Sequence, residues 1–229
     1  MNIGKYVVLE GIDGSGKTTL SKCLDHELSK HGYKIITSRQ PGSTPLGQHL
    51  RKLVKTPKLI DQNIEIDELS RQILYMVDTI SFNKQILEPA IENGIHVISD
   101  RSSYISSIVY GIASGVKIQD INRLLALYPA PKIDRLYIVS CDTAILKSRI
   151  KERNIDDHFD SKPESFFKII ENIYSNILTP SNMKVDCPDM ITSLISECVN
   201  FSDIKYIDSS NGIDSIIGDM VSDLEDNIF

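Results

Sequence analysis

Apolar positions along this chain come in short β-branched runs separated by longer stretches of helical spacing. Tyr6-Val7-Val8-Leu9 reads as a buried strand, and Leu20, Cys23, Leu24 and Leu28 recur as the inner face of a helix that ends at Gly32. A second strand is predicted at 34–37, followed by a loop dense in Pro, Gly and hydroxyls at 38–45 and a helix over 46–54. Residues 67–93 carry a long helical pattern whose Ile73, Val77, Ile80, Leu87 and Ile91 suggest a buried stripe, with Pro89 as a kink or boundary. Gly94 caps it, and His96-Val97-Ile98-Ser99-Asp100 is a third strand ending in a carboxylate. Residues 101–115 begin as a loop and turn helical, and 124–127 is a short helix closed by Pro129-Ala130-Pro131. Leu136-Tyr137-Ile138-Val139 is strand four, 143–153 a cationic helix, and 166–178 another helix. Residues 179–203 are irregular, with 191–199 helical at most; 205–207 is a fifth strand and 213–224 the closing helix.

Strands alternating with helices predict an α/β fold, a five-stranded parallel sheet covered by helices on both faces. A length of 229 residues suits one such domain. In open sheets of this kind ligands sit beyond the carboxyl ends of the strands.

The chemistry is concentrated in Glu10-Gly11-Ile12-Asp13-Gly14-Ser15-Gly16-Lys17-Thr18-Thr19, between strand and helix. It fits the G-x-x-x-x-G-K-[ST] phosphate loop. Glycines let backbone N–H groups approach phosphate oxygens, Lys17 brings a point charge to the β/γ-phosphates, and the Thr18 hydroxyl suits Mg²⁺. Gly11, Asp13, Gly14, Ser15, Gly16, Lys17, Thr18 and Thr19 are therefore the expected ATP site. Asp100, ending an apolar strand, suits a metal-holding carboxylate or a helix N-cap. Arg101 and Arg39 are candidate phosphate clamps beside it. Arg149 and Arg153, one helical turn apart, could neutralise charge on a transferred phosphoryl group or form a solvated face with Glu152 and Asp156. A GTPase needs a base-reading N-K-x-D, and Asn83-Lys84 is followed by Gln85-Ile86.

A net charge of −6 with mixed signs argues against a nucleic-acid or membrane surface as main partner. The four cysteines make no C-x-x-C pair, and no apolar run approaches the ~20 residues of a membrane span. The first strand follows the first residues closely, leaving no room for a signal peptide; a soluble, cytoplasmic protein is expected.

In order, Gly11 to Thr19, Arg39-Gln40-Pro41-Gly42-Ser43-Thr44-Pro45-Leu46-Gly47, Leu74-Tyr75-Met76-Val77-Asp78, Asp100-Arg101, Ser106-Ser107-Ile108-Val109-Tyr110 and Arg149 to Arg153 with Asp157-His158-Phe159-Asp160 and Tyr174 resemble the thymidylate kinase family. The resemblance implies a single P-loop kinase domain with a lid at about 149–162 and an insertion at about 179–203. It implies ATP-dependent phosphorylation of dTMP to dTDP with Mg²⁺ and ATP as co-substrate, and a homodimer paired through helices such as 67–93. Another deoxynucleoside monophosphate as acceptor, dUMP or a 5-modified dUMP, and a non-catalytic nucleotide-binding protein are the alternatives.

Carried over, Lys17, Thr18 and Asp100 serve ATP and the metal, with Lys17, Asp100, Arg149 and Arg153 as the catalytic set. Arg39 and Arg101 hold the acceptor phosphate, Asp13 accepts from the deoxyribose 3′-hydroxyl, Tyr75 stacks on the base, and Ser106 and Tyr110 line the acceptor site. Gly14 stands where some members carry a catalytic arginine, so the lid pair is expected to supply it. The chain departs from the family pattern at Gln40 (an acidic residue elsewhere), Thr79 (arginine), Ser102 (aromatic, a space Tyr104 is expected to fill), Gly111 (base-reading glutamine) and His158 (arginine).

Overall fold

The structure is a computed structural model and describes residues 3–141, 158–159 and 162–229. Five parallel strands, β1 (Tyr6–Glu10), β2 (Ile35–Arg39), β3 (His96–Asp100), β4 (Arg135–Ser140) and β5 (Ile204–Asp208), lie in the order β2-β3-β1-β4-β5. Every residue of β1 is buried, as expected of a central strand with both faces covered. Tyr6 and Val8 point into one core layer with Phe82, Ile105, Ile108 and Ile170. Val7 and Leu9 point into the other, with Leu20, Leu24 and Leu28 of α1 (Lys17–Lys30) and Met220 and Leu224 near the C-terminus. Each such side chain contributes roughly 1.5–3 kcal/mol on burial, so the alternation fixes which face receives which helix.

The chain leaves β1 for β2 and β3 on one side and reaches β4 and β5 on the other. The switch in direction opens a crevice at the carboxyl end of β1, where ligands bind in such sheets. Register brings Arg39 opposite Asp100 and Asp100 opposite Leu9, so three strands end together there.

α2 (Pro45–Lys55) starts on Thr44, whose hydroxyl accepts from Gly47 N at 2.9 Å, with Pro45 pre-set for the first turn. α3 (Pro57–Ile60) is a single turn, and α4 (Glu68–Phe82) is capped by Asp67. Pro89, expected as a kink or boundary, sits in α5 (Glu88–Glu92), which follows a π-helical turn, Asn83–Leu87, without ending the helical path. α6 (Ser103–Ala113), α7 (Ile118–Leu125), α8 (Glu164–Ser175), α9 (Pro188–Ser196) and α10 (Ile213–Asn227) complete the described helices.

Four expectations are corrected. Strand two runs to Arg39, because the ladder with β3 continues to Asp100. The short helix lies at Ile118–Leu125 and not 124–127; Ile118, Ile121 and Leu125 set its buried face. Within 179–203 the helix expected at 191–199 lies at Pro188–Ser196: α9 drives Ile191, Leu194 and Ile195 into the core, and Ile133 N donates to Cys198 O at 2.7 Å. The apolar stripe expected over 67–93 is only partly inward: Leu87 is buried and Ile80 and Ile91 pack against the core, but Ile73 does not join them. Ile73 is 47% exposed and Leu69 43%, whereas Gln72, Tyr75, Met76, Asp78 and Thr79 point inward. The inward face of α4 mixes polar residues with the apolar Tyr75, Met76 and Phe82, which leaves Leu69 and Ile73 outside. The cationic helix expected at 143–153 lies outside the described residues.

Candidate active site

β1 hands the chain straight into the phosphate loop. Gly11 has φ 144°, and a Cβ on it would lie 2.1 Å from the Val139 carbonyl oxygen, so only glycine permits this packing against β4. Gly16, with φ 96°, is the N-cap of α1, whose first turn holds no acidic residue. The N-terminal dipole is thus open to an anion. Lys17 Nζ folds back onto the loop, donating to Gly11 O at 2.9 Å, Ile12 O at 2.7 Å and Ser15 Oγ at 3.3 Å. Burial, and then repulsion from Arg101, pull its pKa down to about 7 against the attraction of Asp13, Asp100 and Glu10.

One residue on, Thr18 Oγ1 donates to Asp100 Oδ2 at 2.5 Å, and Arg39 Nε stands 3.4 Å from the same oxygen. Asp100 therefore meets a hydroxyl and a guanidinium across the ends of three elements.

Arg101 takes a left-handed backbone, φ 77°, a conformation that costs a non-glycine residue on the order of 1–3 kcal/mol. The turn sends its guanidinium inward. Nη1 donates to Glu10 Oε2 at 3.0 Å; Nη2 donates to Asp13 Oδ1 and to the Tyr110 hydroxyl, both at 2.8 Å. The guanidinium carbon also lies 5.0 Å from the centroid of the Tyr110 ring. Burial opposes the charge, but Tyr110, Asp13 and Glu10 hold Arg101 well above the usual range. Asp13, with Lys55 Nζ at 3.9 Å from its other oxygen, is held well below the carboxylate range: burial is outweighed by Lys55, Arg101 and Lys17.

These residues line one cleft of about 490 Å³. Of the expected site, Asp13, Gly14, Gly16, Lys17, Thr18, Thr19, Arg39, Asp100 and Arg101 face it. Gly11 and Ser15 support the loop from behind. Tyr75, Ser106 and Tyr110 are buried and form a layer behind Arg101: the Ser106 hydroxyl is bonded to Glu10 at 3.0 Å, and Tyr75 lies within electrostatic reach of Tyr110. Arg149 and Arg153 lie outside the described residues.

Three residues of the site escaped sequence reasoning. Glu10 has no exposed surface, yet its carboxylate receives Arg101, Ser102 N at 2.9 Å, the Ser106 hydroxyl and the Tyr174 hydroxyl at 2.7 Å. A carboxylate closing an apolar strand was the available signal. Arg51 and Lys55 of α2 also line the cleft, Arg51 holding the loop through Pro41 O at 2.9 Å. Their spacing of four, on the helix after the Arg39 loop, was legible as one cationic face.

Two departures find physical explanations. Gln40 is buried behind the cleft, where Nε2 donates to the Tyr6 hydroxyl at 2.8 Å and Ser99 Oγ at 3.2 Å, while Oε1 accepts from Ser103 N at 3.0 Å. An amide fits that mixture of donors and acceptors. His158 Nε2 pairs with Glu68 Oε1 at 3.2 Å, and Lys162 joins the same carboxylate, whose pKa falls to about 2 as those hydrogen bonds overcome burial. The expected substitution of Tyr104 for the aromatic at Ser102 is not seen. Its hydroxyl donates to Glu197 at 3.1 Å, away from the cleft, because the helix has already begun at Ser103.

A family model described as thymidylate kinase matches residues 9–187. A thymidylate kinase of Buchnera aphidicola (subsp. Baizongia pistaciae) is 34% identical over 203 residues, covering 85% of this chain and 92% of that protein. A probable thymidylate kinase of Thermococcus gammatolerans is 31% identical over 235 residues, covering 99% and 98%. Among solved structures, thymidylate kinase from Candida albicans aligns with a TM-score of 0.70 at 18% identity, over 98% of this chain and 92% of that one, a likeness of fold.

Proposed function

The chain belongs to the thymidylate kinase family and transfers the γ-phosphoryl group of ATP to dTMP, and from that premise we propose how the cleft divides the work. The observation that carries the assignment is the meeting of Lys17, the Thr18–Asp100 pair and the Arg39–Arg101 pair in one cleft at the strand ends.

Lys17 leaves the loop carbonyls for the β/γ-phosphates of ATP, which sit on the backbone from Gly11 to Thr19. A Thr hydroxyl and an Asp carboxylate at 2.5 Å are hard oxygen donors of the kind Mg²⁺ accepts alongside phosphates and water. Among the described residues no group of three or more His, Cys, Asp or Glu side chains could hold a metal, and an ion shared with a nucleotide needs none. Thr18 and Asp100 would hold Mg²⁺, which when bound neutralises charge on the transferred group.

Arg101 and Arg39 grip the acceptor phosphate, with Arg51 and Lys55 adding positive field from α2. Asp13 meets the 3′-hydroxyl of the sugar, and Tyr75, Ser106 and Tyr110 form the base side. A guanidinium already bonded to Glu10, Asp13 and Tyr110 is pre-oriented, so little order remains to be imposed on binding. Arg149 and Arg153, in a lid at about 149–162, stabilise the charge that develops on the phosphoryl group. Replacing either with alanine lowers kcat by ~10²-fold with the acceptor KM nearly unchanged.

The rest of the reading is one kinase domain, with 179–203 as an insertion that packs on α6, acting in the cytoplasm. Two copies pair through the outward apolar face of α4, where Leu69 and Ile73 are exposed. Among the described residues no helix is long and apolar enough to cross a membrane. An ADP-release assay with ATP, Mg²⁺ and a panel of nucleoside monophosphates tests the acceptor directly: dTMP turns over fastest, and a chain that releases ADP with no acceptor dependence overturns the reading.

A further inference from the structure

Gln72 is 1% exposed, and neither its amide nitrogen nor its amide oxygen has a hydrogen-bond partner. An unpaired buried amide costs on the order of 1–3 kcal/mol for each polar group, and folded chains rarely retain one without use. A methionine or leucine would fill the same space without that penalty.

The position of the amide suggests the use. α4 and α6 run side by side, joined at one end by Ser103 Oγ donating to Asp78 at 2.7 Å and at the other by Gln72 beside Gly111. A Cβ on Gly111 would lie 2.9 Å from Ile121 Cδ1, 3.1 Å from Gln72 Cδ and 3.2 Å from Oε1, so the glycine leaves room for both the isoleucine and the amide. Tyr110, one residue before Gly111, holds Arg101; Tyr75 stands one turn after Gln72. Ser107, one turn before Gly111, has a buried hydroxyl that is also without a partner. The seam therefore begins at the phosphate-gripping arginine and ends in unpaired donors and acceptors. A planar ring already spans it. Phe159 meets Tyr110 at 5.2 Å and the guanidinium of Arg71, next to Gln72, at 5.8 Å.

We propose that Gln72 reads the base of the acceptor nucleotide, pairing its amide with the 3,4-edge of the pyrimidine, with Phe159 displaced from the seam. On thymine that edge carries an N3–H donor beside the O4 acceptor, and a primary amide offers an acceptor beside a donor in matching order. Uracil shares the edge, so Gln72 senses the 3,4-pair and not the 5-methyl group. Cytosine reverses the order, and rotation of the amide about its last torsion meets it. Exclusion of cytosine thus falls to other groups of the seam, whereas a base that cannot pair at N3 is rejected by Gln72 itself.

The inference rests on dTMP as acceptor, and the experiment separates the two. Steady-state kinetics with dTMP and with 3-methyl-dTMP, which lacks the N3 proton, are compared in the wild type and in Gln72→Met. A site that loses a paired donor and acceptor discriminates by roughly 10- to 100-fold. The wild type is expected to prefer dTMP by about that factor in kcat/KM. In Gln72→Met the dTMP value falls, and the preference shrinks to about threefold or less. The thermal midpoint of the variant does not fall, because the apolar side chain removes an unpaired amide. Should Gln72→Met not fold, Gln72→Ala is compared in the same ratio. An unchanged ratio overturns the assignment and makes Gln72 a packing residue. If the wild type itself fails to use dTMP, the acceptor assignment is what falls.

Discussion

Arg101 and Glu10 are bonded at 3.0 Å inside the protein, the arginine from the tip of β3 and the glutamate from the end of β1. Neither is free to turn. Glu10 is fixed by Ser102 N, Ser106 and Tyr174, and Arg101 by Asp13 and Tyr110 as well. The pair anchors the Arg101 guanidinium to the frame of the sheet.

Arg101→Lys follows from that arrangement. A lysine retains the charge but cannot reach Glu10, Asp13 and Tyr110 together, since its ammonium is one point on a flexible stem. The acceptor KM is expected to rise by about 10- to 100-fold, with the affinity for ATP changed by less than about threefold. Equal losses for both nucleotides, measured by steady-state kinetics and ATP titration, would move Arg101 to the ATP side.

Gln40→Glu tests whether the amide is there for hydrogen bonding. Ser99 Oγ donates to Arg101 O at 2.6 Å, so it can only accept from residue 40. A carboxylate would face that hydroxyl lone pair to lone pair, and would carry a buried charge. The substitution is expected to destabilise by about 1–3 kcal/mol, lowering the melting midpoint by roughly 2–10 °C, while kcat stays within about threefold. A large fall in kcat without a fall in stability would place Gln40 in the chemistry.

Much of this was readable in the sequence, for reasons that differ by element. The phosphate loop was legible because its residue types are each demanded locally, by φ at Gly11 and Gly16 and by charge at Lys17. The strands were legible because both faces of β1 are buried, which leaves an unbroken apolar run. The orientation of α4 was not. Helical spacing shows that apolar residues recur but not which of them meet the core, and here Gln72, Asp78 and Thr79 turn inward beside Tyr75, Met76 and Phe82 while Leu69 and Ile73 stay outside. Glu10 was not legible as part of the site, since its partners Arg101, Ser106 and Tyr174 are distant in sequence and no local rule joins them. Gly111 read as a missing glutamine; only the packing revealed Gln72 in the neighbouring space.

The outward face of α4 gives a prediction about assembly. Ile73 and Leu69 lie one helical turn apart and are exposed, an arrangement that a second copy could bury. Ile73→Glu places a charge in the middle of that face without touching the cleft. Sedimentation velocity is expected to show a dimer for the wild type and a monomer for the variant, with the helix content unchanged. A wild type that sediments as a monomer at tens of micromolar would remove the pairing.

The last prediction concerns the proton on Lys17. Its pKa is brought down to about 7 from 10.5, first by burial and then by Arg101. Because the folded value lies below the unfolded one, the unfolded chain binds more protons between those limits. Stability from this group therefore rises as pH rises from about 7 toward 10.5 and is lost as pH falls back through 7. Phosphate oxygens beside the amine favour its charged form, so ATP raises the pKa again. At pH 8 most of the free enzyme carries neutral Lys17, and binding ATP is expected to take up close to one proton per site, a consequence of the tenfold ratio per pH unit. Titration calorimetry in two buffers of different ionisation enthalpy reads that proton as a difference in heat. Lys17→Met keeps the fold, abolishes the difference and lowers kcat by ~10²-fold or more, since the charge acts where the transition state is most negative. Identical heats in the two buffers for the wild type would mean that Lys17 is already charged before ATP arrives.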